Sequence, residues 1–146
     1  MNLKSITMFA SILFVFSGCA SPQTQSSTEK LIGDWYGESK CVGRNTSCHD
    51  EVVVYHISRI EKEPTKVHLS ADKIVDGKPE FMGEFDFVFD EKKDTLTADF
   101  KIPRTGGTGV WLFKVNGDKI EGTLTILPEN EVGRVVKVSR KKPDVK

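Results

Sequence analysis

No stretch of this chain of 146 residues is long and apolar enough to cross a bilayer as a helix. The sustained apolar run, Ile6 to Phe16, falls short of the about 20 residues that a hydrocarbon core of ~30 Å requires. Net charge is missing as well, since 21 Lys and Arg balance 21 Asp and Glu; without a basic excess there is no electrostatic footprint for nucleic acid. The one basic cluster, Arg140-Lys141-Lys142, reads as part of a solvated tail. Histidine and cysteine are scarce, three of each, and neither Cys-x-x-Cys nor His-x-x-x-His occurs, which removes the usual zinc spacings. There is no Gly-x-Ser-x-Gly elbow. Thr105-Gly106-Gly107-Thr108-Gly109 is followed by neither Lys-Ser/Thr nor a helical pattern, so it reads as a hairpin loop and not a phosphate cradle. Acidic residues alternate with apolar ones, as on a solvated sheet face, and do not pair for acid–base work. The expectation is a protein that is not an enzyme, with no cofactor, no metal and no nucleic-acid partner.

The apolar run is preceded by Lys4 and followed by small residues, the pattern of a signal peptide. Its end, Phe16-Ser17-Gly18-Cys19, resembles the lipobox of bacterial lipoproteins, with Phe16 standing where Leu is more usual. The resemblance implies that the Cys19 thiol takes a diacylglycerol, that the peptidase cuts between Gly18 and Cys19, and that Cys19 becomes the first residue. Two or three acyl chains hold a soluble domain firmly at a membrane. Ala20, where Asp would favour inner-membrane retention, implies the outer membrane, facing the periplasm, in a Gram-negative host. The other reading is a plain secreted protein with an incidental cysteine. Residues 1–18 are thus assigned as lipoprotein signal peptide. Residues 19–30, with no large apolar side chain, are assigned as lipidated cysteine and flexible tether.

Removal of the leader leaves about 130 residues, the size of one domain. With Cys19 lipidated, Cys41 and Cys48 remain as a pair in a disulfide-permissive compartment and are read as a disulfide. Closing a loop of about eight residues contributes ~2.5 kcal/mol in the chain-entropy picture. The alternative, metal binding by Cys41, Cys48 and His49 with His56 or His68, has no spacing to support it.

From Leu31 onward the apolar period is two. Eight strands are predicted, at about 31–40, 51–60, 66–72, 80–90, 95–102, 110–115, 119–126 and 134–140. Val53, Tyr55 and Ile57 share a face of the second; Val67, Leu69 and Ala71 a face of the third; Leu96, Ala98, Phe100 and Ile102 a face of the fifth. The fourth is the most apolar, with Phe81, Phe85, Phe87 and Phe89 in phase. Asn116-Gly117 is a strong hairpin turn, and Gly122 is a candidate for a bend or bulge. No amphipathic stretch longer than a turn or two suggests a helix. Eight antiparallel strands with one apolar face each leave two open edges unless the sheet closes, so the expected fold is all-β, an eight-stranded antiparallel up-and-down barrel over 31–142 with a tail at 143–146. A two-sheet sandwich is the alternative.

Gly33-Asp34-Trp35 at the start of the first strand looks like the Gly-x-Trp of lipocalins. That resemblance implies a lipocalin-like barrel whose Trp35 closes one end beneath an Arg from near the last strand. Arg140 is the match, since Arg134 would sit at the opposite end. The other lipocalin blocks are missing. The implied function is a membrane-anchored binding protein that holds a small apolar or amphipathic ligand, with Phe85, Phe87, Trp111 and Phe113 as the lining. A solid core is the other outcome; function would then lie on the surface, toward an envelope protein partner, as an assembly factor or an inhibitor, for example of lysozyme. Metabolic labelling with a fatty acid should mark the wild-type protein and leave Cys19→Ala unmarked; equal labelling of both would refute the anchor.

Overall fold

The computed structural model describes residues 27–44, 47–103 and 105–141. Cys19 and the leader lie outside the described residues. A 3₁₀ turn, Ser27–Leu31, precedes eight strands: β1 (Gly33–Cys41), β2 (Glu51–Arg59), β3 (Lys66–Val75), β4 (Lys78–Asp90), β5 (Thr95–Lys101), β6 (Thr108–Asn116), β7 (Lys119–Leu127) and β8 (Glu131–Ser139). Each pairs with the next, and β8 returns to β1, which makes a closed antiparallel up-and-down barrel and excludes the sandwich. The closing seam runs from Tyr36 opposite Ser139 to Cys41 opposite Arg134. Period-two alternation sends one phase of every strand inward, and the apolar members of that phase are the buried core.

One end is sealed. Trp35 and Leu31 are fully buried there, and the indole Nε1 donates to the Leu31 carbonyl at 2.9 Å. The Arg140 guanidinium lies 4.4 Å from the Trp35 ring centroid, and its Nη1 donates to the Ile32 carbonyl at 2.9 Å. A second guanidinium nitrogen donates to the Lys30 carbonyl. Gly33 has a φ of 120°, and a Cβ there would stand 3.0 Å from Arg140, so glycine serves both the backbone and the guanidinium.

The 3₁₀ turn takes up the end of the stretch assigned as tether. Glu29 pairs with Arg59, Lys30 lies 2.6 Å from Asp94, and Thr28 is buried with its hydroxyl 3.4 Å from the Pro64 carbonyl. These contacts are distant in sequence, so a polar local composition folds because the barrel end offers partners.

Other departures have local causes. β3 and β4 run up to a two-residue turn, because Asp76 and Gly77 both take positive φ, and Pro79 lies inside the ladder opposite Ile74. A register shift after Ala71 moves Phe81 opposite Asp72 and out of phase with the other phenylalanines, leaving it 64% exposed. Gly122 pairs regularly with Phe113; a Cβ there would lie 2.3 Å from that ring, so this glycine makes room for the core, and the irregularity of β7 falls between Leu124 and Thr125. Between β4 and β5 just three pairs form, ending at Val88 opposite Thr97, and above them the Phe85 and Phe100 rings meet at 5.1 Å.

The Cys41–Cys48 disulfide is present, with Cα atoms 6.0 Å apart. Trp35→Ala should destabilise the domain by about 3 to 5 kcal/mol and Arg140→Ala by less. In chemical denaturation a double-mutant cycle should show coupling of ~0.5 to 2 kcal/mol, the range of a guanidinium over an indole. Strict additivity would mean that the contact contributes nothing.

Candidate functional site

The opposite end is open, and a cup of about 380 Å³ enters it, lined by Ser39, Glu51, Tyr55, Ala71, Lys73, Phe81, Met82, Phe85, Trp111 and Arg134. Its floor is the aromatic layer in which Phe87 and Phe113 stack at 5.1 Å and Tyr55 stacks on Phe113 at 6.1 Å. Phe87 and Phe113 are 1% and 2% exposed. They were expected to line a cavity with Phe85 and Trp111; the correction is that they fill the barrel's middle and support the cup from below. Phe85 and Trp111 do line it, ring centroids 6.5 Å apart and edge to face. Below the floor, Val67, Phe89, Leu96, Val115, Ile120 and Val138 are buried, so the half of the barrel next to Trp35 is solid.

The two walls differ in chemistry. β3, β4 and β6 supply Ala71, Met82, Phe85 and Trp111. β1, β2 and β8 supply a polar group: Arg134 Nη1 donates to Ser39 Oγ at 3.0 Å and lies 3.2 Å from Glu51 Oε2. Arg134 and Glu51 side chains retain about a fifth of their surface, 20% and 21%. Burial pushes the Tyr55 phenol well above its usual range, with Arg134 and the Ser39 hydroxyl pulling it back, so Tyr55 stays protonated and able to donate. Lys73 stands at the rim, 3.3 Å from Glu80. Trp111 Nε1 is buried without a hydrogen-bond partner among the described residues.

Pattern reasoning missed Ser39, Glu51, Lys73 and Arg134. The signal was available: Glu51 is in phase with Val53 and Tyr55, Lys73 with Leu69 and Ala71, and Arg134 with Val136, so each is a charge on the inward face. Trp35 and Arg140 occupy the sealed end and do not approach the cup.

Polar chemistry also gathers on the outer wall. His56 lies 2.7 Å from Asp34 through Nδ1 and 3.2 Å from Asp72 through Nε2. The Asp34 carboxylate is the main cause that holds the imidazole pKa above its ordinary value, against partial burial and with help from Asp72. No group of three or more His, Cys, Asp and Glu suited to a metal ion occurs among the described residues. No protein-family model matches the chain, and no curated protein matches its sequence.

Two expectations follow. Trp111→Phe keeps a ring in the wall while removing an unpaired donor, so stability should change by less than about 1 kcal/mol in urea denaturation; a loss above 2 kcal/mol would place a hidden partner on the indole. Because the folded-state pKa of His56 is raised, its contribution is fully present below the unfolded value of about 6.5 and is lost as pH rises through the folded value. The stability difference between wild type and His56→Gln should therefore shrink on going from pH 6 to pH 8; a constant difference would show that the carboxylates do not favour the charged ring.

Proposed function

We propose that this chain is a lipid-anchored protein of the bacterial cell envelope, built as a lipocalin-like binding domain that holds a small amphipathic ligand in the open end of its barrel. The observation that carries the reading is the cup itself, with one aromatic wall, one hydrogen-bonding wall and a solid floor. A pocket of this kind, mostly apolar with a few convergent polar groups, is the usual form of a small-molecule site. Ser39 and Glu51 are both engaged by Arg134, which supports retention of a ligand without chemistry on it. The Cys19 leader supports attachment through acyl chains. The Ala20 neighbour supports an outer-membrane position, facing the periplasm, in a Gram-negative host.

A surface-acting assembly factor or inhibitor is the second reading. It is favoured by the solid lower half and by an outer-wall groove of about 460 Å³ that includes Tyr36, Val52, Val54, Ile74 and Pro79.

The domain from Cys19 onward, incubated with a lipid extract and recovered, should carry a bound small molecule in native mass spectrometry. Adding the identified molecule to ligand-free protein should shift the Trp111 indole N–H resonance and leave that of Trp35, at the sealed end, in place. Recovery of bare protein from extracts of the source membrane, with neither indole resonance moving, would turn the assignment to the surface reading.

A further inference from the structure

We propose that the cup selects a compact, planar molecule bearing a single carboxylate or equivalent oxyanion, with its ring against Phe85 and Trp111 and its anion on the Arg134 guanidinium. This rests on the reading of the cup as a ligand site and adds the chemical class of the ligand.

The shape of the molecule follows from the floor. A long acyl chain needs a channel running down the barrel axis, and the stacked Phe87, Phe113 and Tyr55 rings close that channel. The ligand must fit a cup of about 380 Å³ beside two rings set edge to face. Aromatic side chains in that arrangement accept a flat partner by offset stacking or edge contact.

The charge follows from Arg134. Its Nη1 donates to Ser39 and lies 3.2 Å from Glu51 Oε2, and the Arg134 side chain, which lines the cup, keeps 20% of its surface exposed. A guanidinium presents its donors as a planar fork that matches an oxyanion in two-point contact. The charged side chains of the lining are Arg134, Lys73 and Glu51, two cations to one carboxylate, and Glu80 at the rim draws on Lys73. A cationic ligand would therefore meet a carboxylate already engaged by Arg134. A neutral one would leave the fork to water. The Ser39 hydroxyl and the protonated Tyr55 phenol add neutral groups on the same wall.

The test uses 2-naphthoate and its neutral isostere 2-naphthamide as probes on the domain from Cys19 onward, by calorimetric titration and by the two indole N–H resonances. The acid should bind at least about tenfold more tightly than the amide, the scale of one charge-assisted hydrogen-bonded contact. The double variant Arg134→Gln with Glu51→Gln keeps the net charge of the lining while removing the fork, and leaves no unpaired ion that would unfold the wall. It should bring the acid-to-amide ratio close to one with an unchanged melting temperature. Lys73→Gln, at a half-exposed position, should lower the ratio less and in a salt-dependent way. Equal binding of acid and amide, with the Trp111 resonance shifted by both, would overturn the anion selectivity and leave the cup as a binding site. A ratio preserved in the double variant would also overturn it. Failure of both probes to move Trp111 would remove the anion proposal together with the claim that the cup takes flat ligands of this size.

Discussion

Closure of the sheet depends on what happens at the start of β1. The seam between β1 and β8 is an antiparallel ladder from Tyr36 and Ser139 to Cys41 and Arg134, with glycine at position 37 because a Cβ there would stand 2.0 Å from the Lys137 carbonyl. Its end is different. There Trp35 fills the barrel cross-section, Arg140 covers the indole, and the chain before β1 turns across the opening so that Leu31 and Thr28 are buried. The guanidinium donates to the carbonyls of Lys30 and Ile32, where the 3₁₀ turn leads into β1. One cation thus ties the chain before the first strand to the chain after the last.

That seal makes the two ends unequal. On the closed side, the inward phase of the strands is apolar without exception among Trp35, Ile57, Val67, Phe89, Leu96, Val115, Ile120 and Val138. On the open side the same phase carries Ser39, Glu51, Lys73 and Arg134. The aromatic layer of Phe87, Phe113 and Tyr55 divides the two. Above it, the Arg134 and Glu51 side chains keep about a fifth of their surface, 20% and 21%, while Ser39 is buried.

The strand pattern and the closed antiparallel fold were legible as patterns of residues, because period-two alternation and an edge that must be paired leave few arrangements; the disulfide was read from the two cysteines left once Cys19 is set aside, and the Trp35–Arg140 contact was implied by the lipocalin resemblance. The cup was legible in part. Phe85 and Trp111 were identified as lining, but phase alone cannot say how deep a side chain sits, so Phe87 and Phe113 were placed beside them when they lie beneath. Phe81 was misplaced because one extra residue, at Met82, shifts the phase of β4, and no local residue type announces it. The turn before β1 was illegible for another reason: Ser27 to Lys30 are polar, and their order comes from Arg59, Asp94 and Pro64, far away in sequence.

Arg134 and Glu51 are costly residues for a barrel wall. Each retains only about a fifth of its side-chain surface, and taking two such ions from water costs several kcal/mol that their mutual attraction only partly offsets. Well-packed apolar residues at such positions are often as stable or more so. The wall at Arg134 therefore does not serve stability first. The unpaired indole donor of Trp111 on the facing wall is a further cost, since a buried donor without a partner loses its hydration unreplaced. Both costs fall above the aromatic layer, while the layer and everything beneath it are apolar and stacked. That asymmetry, with unfavourable polar groups at the open rim over an apolar stacked core, is what supports the proposal that the rim meets a ligand.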